Sequence, residues 1–326
     1  MKKLIAVCLS VIIAAFIFAG CGAGSDSTPD EPDNTIKVVT TIFPIYDWVR
    51  EVAQDDVHID LDLLLDNGVD LHSYQPTAKD IMDISGCNVF IYVGGESDKW
   101  VTDTLEQADN PDMIVLDLLD ILGDDAKEEE LKEGMQDEEE VEDGEEDPEY
   151  DEHIWLSLRN AYNIIPAISD ALAAVDSQHA EALRTNADVY LHKLIDLDEQ
   201  YMETVDSSSV KTLLFGDRFP FRYLTDDYSL DYYAAFTGCS AESEASFETI
   251  TFLSEKVDEL GLKAILQIET SDGSIAETIK ANTKTKDQQI LTLDSMQAVT
   301  ADRVADGETY FSIMESNLEV LKQALA

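Results

Sequence analysis

Apolar residues along this chain recur in two patterns, short β-branched runs and longer stretches with helical spacing. Ile36–Ile42 is a β-branched run that predicts a buried strand, and the apolar positions of residues 43–53 repeat at the spacing of a helix. The same alternation runs through both halves of the chain and ends in a helix predicted over Thr309–Leu325. Strands are predicted at 36–42, 58–65, 88–93, 113–116, 210–215, 231–236, 264–268 and 289–293. Strands that alternate with helices indicate an α/β fold with parallel sheets.

The middle of the chain carries only helical patterns. Residues 159–207 are nearly all helix formers, with a break near 175–178 and a candidate N-cap at Ser177. The second helix is longer than a compact lobe needs, so we expect it to join two α/β lobes as a rigid strut. Cys87 and Cys239 fall in opposite lobes, and we expect both thiols to be free. The predicted organisation is an N-terminal lobe at 36–176, a bridging helix at 177–207 and a C-terminal lobe at 208–326.

The N-terminus has the pattern of a secretion signal. Two lysines precede an apolar run that ends at Gly20, and Cys21 follows directly after Ala-Gly. This ending resembles the bacterial lipobox, so we predict a lipoprotein signal peptide at 1–20 and lipid attachment to Cys21. The alternative is an ordinary signal peptide with an incidental cysteine. Residues 21–35 are rich in Gly, Ser, Asp and Pro, which predicts a flexible tether.

The net charge of the chain argues against some classes of binding partner. The 326 residues include 69 acidic and 21 basic side chains, which gives a formal net charge of −48. Binding to nucleic acid requires Lys and Arg opposite the phosphates, so this balance argues against a nucleic-acid partner. It argues equally against docking of the protein surface on anionic lipid headgroups. Residues 123–152 hold 18 of the 69 acidic side chains and lack aliphatic periodicity, which predicts a mobile acidic loop.

Two of the five histidines stand where ligands gather in α/β proteins. His72 and His153 both lie in connections between predicted elements, and ligands of parallel sheets bind at the carboxyl ends of strands. His58 lies within a predicted strand, while His179 and His192 lie on the long helix among charged neighbours. His72 and His153 are therefore the candidate metal ligands, and the other three suit surface positions.

Three sequence motifs resemble one family. The segment GVDLHSYQPTAKDI around His72 resembles the G-D-x-H-x-Y-x-P-T ligand loop of the solute-binding proteins of zinc and manganese ABC importers, the cluster A-I metal-binding family. VVTTIFPIYDWVREVA resembles the first strand and helix of that family, and DEHIWLSLRNA around His153 resembles its second ligand motif. The resemblance extends from Ile36 to the C-terminus. It implies two Rossmann-like α/β lobes with parallel sheets, bridged by a long helix, with the metal in the cleft between the lobes.

The third ligand departs from the family pattern. Family members usually carry His or Glu before the first helix of the C-terminal lobe, and matching Phe221 and Tyr223 to the aromatic pair of the family puts Arg218 on that position. A guanidinium has no lone pair for a metal. The resemblance therefore makes the neighbouring Asp217 the candidate third ligand, with a surface aspartate as the alternative. In the second motif, Ser157 also stands where the family usually has Asp.

The resemblance also implies a fourth ligand and a supporting carboxylate. Asp294 occupies the place of the fourth ligand, with a turn or helix-cap aspartate as the alternative, and Glu269 is a candidate to hydrogen-bond a ligand histidine. Two imidazoles and two carboxylates suit tetrahedral Zn²⁺, and Mn²⁺ also accepts carboxylate-rich sites. A long loop before the second histidine is typical of the zinc importers of the family, which favours Zn²⁺. The acidic loop is either a weak antenna for cations or solvated disorder.

The expected function is high-affinity capture of a divalent transition metal, Zn²⁺ before Mn²⁺, and its delivery to the permease of an ABC importer. The resemblance implies a monomer anchored by lipid to the extracellular face of the bacterial cell membrane. The alternatives are a Mn²⁺-specific member of the family and a metal-dependent surface adhesin. An enzyme is not expected, because the sequence has no H-E-x-x-H, no G-x-S-x-G and no Gly-rich phosphate loop.

Overall fold

The computed structural model describes residues 35–136, 149–240 and 244–326. The predicted signal peptide, Cys21 and nearly all of the predicted tether lie outside these residues. Two four-stranded sheets, both entirely parallel, organise the described chain. Among the described residues, no helix is both long enough and apolar enough to cross a membrane.

The first sheet lies in the N-terminal lobe and has the order β2-β1-β3-β4. Its strands are β1 (Ile36–Thr40), β2 (Ile59–Leu63), β3 (Val89–Tyr92) and β4 (Ile114–Asp117). The helices of this lobe are α1 (Phe43–Ala53), α2 (Ala78–Ser85), α3 (Trp100–Leu105), α4 (Leu118–Leu122) and α5 (Leu158–Val175). Local sequence fixes several helix starts. Thr77 forms a capping box with Asp80 at the start of α2, and Ser157 accepts a hydrogen bond from the Asn160 amide at the start of α5.

The second sheet lies in the C-terminal lobe and has the order β6-β5-β7-β8. Its strands are β5 (Thr212–Phe219), β6 (Asp231–Thr237), β7 (Ala264–Gln267) and β8 (Gln289–Thr292). The helices are α7 (Arg222–Asp227), α8 (Phe247–Leu260), α9 (Ser274–Asn282), α10 (Ala301–Ala305) and α11 (Tyr310–Ala324). The register of β5 against β6 shifts between Phe215 and Arg218, which marks a bulge in β5.

One long helix connects the two lobes. Helix α6 (Ala180–Ser207) has 28 residues, which corresponds to about 42 Å at 1.5 Å per residue. It packs against α1 and α5 of the N-terminal lobe and against α11 of the C-terminal lobe. Tyr201 on α6 is fully buried and donates a 2.7 Å hydrogen bond to the carbonyl of Met314 on α11. The N-cap is His179, two residues after the predicted Ser177.

Two aromatic side chains tie the lobes together near their centre. The indole of Trp155 donates a 2.8 Å hydrogen bond to the carbonyl of Ser295, and the hydroxyl of Tyr310 donates a 2.7 Å bond to the carbonyl of Trp155. Trp155 and Tyr310 are almost completely buried. The amide of Tyr310 also donates to the carboxylate of Asp47 on α1 at 2.8 Å. The segment after His153 is thereby fixed to both lobes.

The described parts of the acidic loop, residues 123–136 and 149–152, make specific contacts. The amide of Glu129 donates to the carbonyl of Glu149 at 2.8 Å, so the two ends of the loop pair with each other. The outgoing end also contacts the C-terminal lobe through Glu130–Arg222, Lys132–Asp231 and Gln136 N–Ala235 O. The described parts of the loop thus make charged and backbone contacts, and the mobility predicted for residues 123–152 stays a prediction. Residues 137–148 of the predicted loop lie outside the described residues.

Candidate metal centre

His72 is presented by a short turn after β2. Residues Leu71–Ser73 form one turn of 3-10 helix, and the carboxylate of Asp70 accepts the amide of His72 at 3.1 Å. The Nδ1 atom of His72 lies 2.9 Å from Oγ of Ser97 and 3.4 Å from Oε2 of Glu152. These oxygens favour a proton on Nδ1, which leaves the lone pair on Nε2 for a ligand.

His153 is completely buried and stands just before the turn Ile154–Leu156. One carboxylate oxygen of Asp151 accepts both the amide and the Nδ1–H of His153, each at 2.9 Å. The pairing of a carboxylate with Nδ1 fixes the ring and its tautomer, so that Nε2 carries the free lone pair. The Asp-Glu-His sequence thus places a carboxylate directly behind the imidazole.

The two imidazoles face each other across a short gap. Nε2 of His72 and Nε2 of His153 lie 3.2 Å apart, and the ring centroids are 5.1 Å apart. Burial and the neighbouring His153 lower the pKa of His72 to about 3. Burial opposes protonation of His153 as well, but the carboxylates of Asp151, Glu152 and Asp70 together outweigh it and raise the pKa of that imidazole. Two lone pairs aimed at one point require a proton or a metal ion between them.

Cys239 completes a cluster of three side chains of the types that could hold a metal ion. It follows the end of β6, and its Sγ, one ring nitrogen of His72 and one ring nitrogen of His153 all lie within 4.8 Å of one another. Gly238 permits this approach, since a Cβ there would lie 3.0 Å from Cε1 of His153 and 2.9 Å from the carbonyl of Phe219. The amide of Cys239 donates to the carboxylate of Glu129 at 3.0 Å. Sequence reasoning did not propose this residue.

The predicted third ligand, Asp217, lies in a strand and not in a loop. One carboxylate oxygen accepts the Arg218 amide at 2.8 Å, and the other accepts the Ile268 amide at 3.2 Å. Asp217 therefore accepts hydrogen bonds from backbone amides at the β5 bulge, where the pairing of the sheet is interrupted. The guanidinium of Arg218 forms a 2.7 Å ion pair with Asp70, the residue that caps the His72 turn. The structure does not bring Asp217 into the cluster.

Asp294 and Glu269 also face other partners. Asp294 forms a 2.7 Å ion pair with Arg303 and accepts the amide of Met296. Glu269 accepts the amide and hydroxyl of Ser295, so it holds the turn after β8 and contacts no ligand histidine. Burial and the charge of Asp294 raise the pKa of Glu269. The carboxylates behind the histidines are Asp151 and Glu152.

Gln297 closes one side of the cluster. With its amide oriented to satisfy its neighbours, the nitrogen donates to Asp70 at 2.9 Å and the oxygen accepts the Nε2–H of protonated His153 at 2.7 Å, a proton that a bound metal would replace. Together with Ser97, Asp151 and Glu152, this residue belongs to the site but was missed from the sequence. Of these residues, only Asp151 and Glu152 could have been suggested by the sequence, because they directly precede His153. Nitrogen and sulfur donors in this arrangement suit a borderline-soft divalent ion.

Comparison with known proteins agrees with this architecture. Residues 38–324 match the family described as "ZnuA: Zinc-uptake complex component A periplasmic". The chain belongs to this family. The family assignment made from the motifs around His72 and His153 is thereby confirmed, as is the prediction of two parallel α/β lobes.

Individual relatives of the ZnuA family add detail. The zinc-binding lipoprotein AdcA of Streptococcus pneumoniae strain R6 is 30% identical over 99% of this chain and 61% of its own length. The chain thus spans about three fifths of that relative. The high-affinity zinc uptake system protein ZnuA of Bacillus subtilis is 28% identical over 97% of both chains. The Zn(II)-bound ZnuA-like domain of S. pneumoniae AdcA is 27% identical, with a TM-score of 0.68 over 89% of this chain and 99% of that domain.

Proposed function

We propose that this chain captures Zn²⁺ outside the cytoplasm with high affinity and delivers it to the membrane permease of an ABC importer. One observation carries the proposal. The Nε2 atoms of His72 and His153 face each other at 3.2 Å, while both Nδ1 atoms face oxygens that hold the rings in place. Buried, oriented imidazoles with converging lone pairs form a site for a divalent ion. Relatives named for zinc binding and zinc uptake support the choice of cargo.

The donor set favours Zn²⁺ over Mn²⁺. Mn²⁺ prefers carboxylate, carbonyl and water ligands, whereas imidazole and thiolate suit Zn²⁺. The two carboxylates predicted as ligands, Asp217 and Asp294, are engaged by backbone amides and by Arg303. Their role as ligands stays a prediction, and it requires that each leave its present partners.

The rest of the proposal comes from the sequence. We infer removal of residues 1–20 as a signal peptide, a lipid anchor at Cys21, and a monomer held at the extracellular face of the cell membrane by a tether. The lobes at 36–176 and 208–326 then clamp the metal, joined by the bridging helix at 177–207. The protein binds and releases metal and has no catalytic role.

The test is a metal titration of the purified chain after chelator treatment. The unmodified chain should bind one Zn²⁺, measured by elemental analysis, with an affinity resolved by competition against a chromogenic chelator. His72→Ala removes one imidazole and should weaken binding at least about 100-fold. His192→Ala is the matched control, because that ring lies exposed on α6 and bonds only the carbonyl of Asp188 among the described contacts. Equal affinity in His72→Ala and the unmodified chain would refute the proposal.

A further inference from the structure

The position to which the family resemblance assigns the third ligand cannot bind a metal here. Arg218 stands on that position, has no lone pair, and is ion-paired with Asp70. Its neighbour Asp217 accepts backbone amides with both carboxylate oxygens, one from Arg218 in β5 and one from Ile268 directly after β7. Releasing Asp217 would leave the amide of Ile268, a buried donor, without its acceptor, which costs free energy. The third donor must come from another element.

The end of the adjacent strand β6 brings such a donor to the site. We propose that the Cys239 sulfur is the third protein ligand, so that the metal is bound by two histidines and one cysteine. This inference rests on the proposed function in zinc capture. The cysteine is not an isolated thiol, because its Sγ lies within 4.8 Å of one ring nitrogen of His72 and one of His153, and the Nε2 atoms of these rings face each other.

The spacing of the three donors fits a tetrahedral zinc site. Zn–N bonds of about 2.0–2.1 Å and Zn–S bonds of about 2.3 Å at the tetrahedral angle place two nitrogens about 3.3 Å apart and nitrogen and sulfur about 3.6 Å apart. The two Nε2 atoms already lie 3.2 Å apart, and the sulfur lies within 4.8 Å of one ring nitrogen of each histidine. Closing the site requires the sulfur to approach both Nε2 atoms to about 3.6 Å, by rotation of its side chain.

The backbone around Cys239 is arranged for this approach. Gly238 lets the strand end pass beside the His153 ring, where any side chain would collide with Cε1. The carboxylate of Glu129 anchors the Cys239 amide from the described end of the acidic loop. Glu129, Asp151 and Glu152 surround the sulfur with negative charge, which favours a dication at the centre of the cluster.

A cysteine ligand has a consequence for metal choice. Thiolate binds Zn²⁺ strongly and Mn²⁺ poorly, because Mn²⁺ is the harder ion. Replacing an imidazole or carboxylate by sulfur would therefore increase discrimination between the two metals. Cys239 would act as the specificity-determining ligand of this chain.

Cobalt spectroscopy tests the assignment directly. Co²⁺ replaces Zn²⁺ in such sites and gives a near-ultraviolet sulfur-to-cobalt charge-transfer band only when a thiolate is bound. We expect this band in the unmodified chain, its loss in Cys239→Ser, and its retention in Cys87→Ala, the matched control at the other free thiol of the described residues. Zn²⁺ affinity should fall at least about 10-fold in Cys239→Ser and should not change in Asp217→Asn.

The outcomes separate this inference from the proposed function. Zinc binding with no charge-transfer band would overturn the cysteine ligand and leave zinc capture standing. A loss of affinity in Asp217→Asn, with Cys239→Ser unchanged, would assign the ligand to Asp217 instead. Failure of the unmodified chain to bind Zn²⁺ would overturn both. If Cys239→Ser does not fold, alkylation of Cys239 in the unmodified chain provides the test. Bound Zn²⁺ should block this labelling. Equal labelling with and without Zn²⁺ contradicts the inference.

Discussion

The carboxylate of Asp151 should control zinc affinity although it does not touch the metal. In Asp151→Asn the side chain keeps its shape and loses its charge. The asparagine amide either accepts the Nδ1–H of His153 more weakly or turns its NH₂ towards Nδ1. The second arrangement moves the imidazole proton to Nε2, the atom that faces His72. Both arrangements weaken the ligand.

The size of the effect follows from the geometry. The Asp151–His153 bond is 2.9 Å long, and both side chains are nearly inaccessible to solvent, at 3% and 0% exposed. A hydrogen bond to a charged group contributes about 1.5–3 kcal/mol. A factor of ten in affinity corresponds to about 1.4 kcal/mol, so Asp151→Asn should weaken Zn²⁺ binding about 10- to 100-fold.

The assay is a chelator competition at neutral pH, paired with thermal unfolding of the metal-free proteins. Asp176→Asn is the matched control, because Asp176 makes a similar bond to Nδ1 of His179 at 2.5 Å, between α5 and α6 and away from the cluster. Asp176→Asn should retain full affinity. A folded Asp151→Asn protein with the affinity of the unmodified chain would refute the tautomer argument.

Two further substitutions probe packing and pH. Gly238→Ala places a Cβ 3.0 Å from Cε1 of His153, so it should weaken zinc binding and destabilise the fold by about 1–3 kcal/mol in urea unfolding; unchanged values contradict the close approach. Burial raises the pKa of Asp47 to about 6 from 3.8. The carboxyl group loses its proton at lower pH in the unfolded chain than in the folded one. The free energy of unfolding therefore falls by up to about 3 kcal/mol as pH rises from 4 to 6. The stability of Asp47→Asn relative to the unmodified chain should increase over that range, and a constant difference contradicts the shift.

Most of the fold could be predicted because buried parallel strands leave continuous apolar runs. Each of the eight predicted strands overlaps one of the described strands, and α1 begins and ends where expected. The strand predicted at 210–215 ends four residues before the observed end of β5 at Phe219, because Gly-Asp-Arg after Phe215 has the composition of a loop. The strand continues through a bulge, and Asp217 satisfies the backbone there. Composition alone does not distinguish a polar residue that hydrogen-bonds the backbone from a polar residue that binds a ligand.

The site was predictable only where its residues lie within a motif. His72 and His153 stand in segments that resemble ligand loops. The structure brings their Nε2 atoms together although the two residues are 81 positions apart in the sequence. Cys239 has no local pattern that marks it as a ligand, and its place beside the histidines depends on the end of β6 and on Gly238. The pairing of Arg218 with Asp70 likewise arises only between folded lobes.

These contacts between lobes also bear on how metal reaches the site. The Arg218–Asp70 ion pair, the Trp155–Ser295 hydrogen bond and the described ends of the acidic loop all join or flank the two halves around the histidines. A hinge motion wide enough to expose His153 must break these bonds together, and a hydrogen bond to a charged group alone contributes about 1.5–3 kcal/mol. The arrangement of the two lobes around His153 is therefore stabilised by several contacts besides those of the histidines themselves.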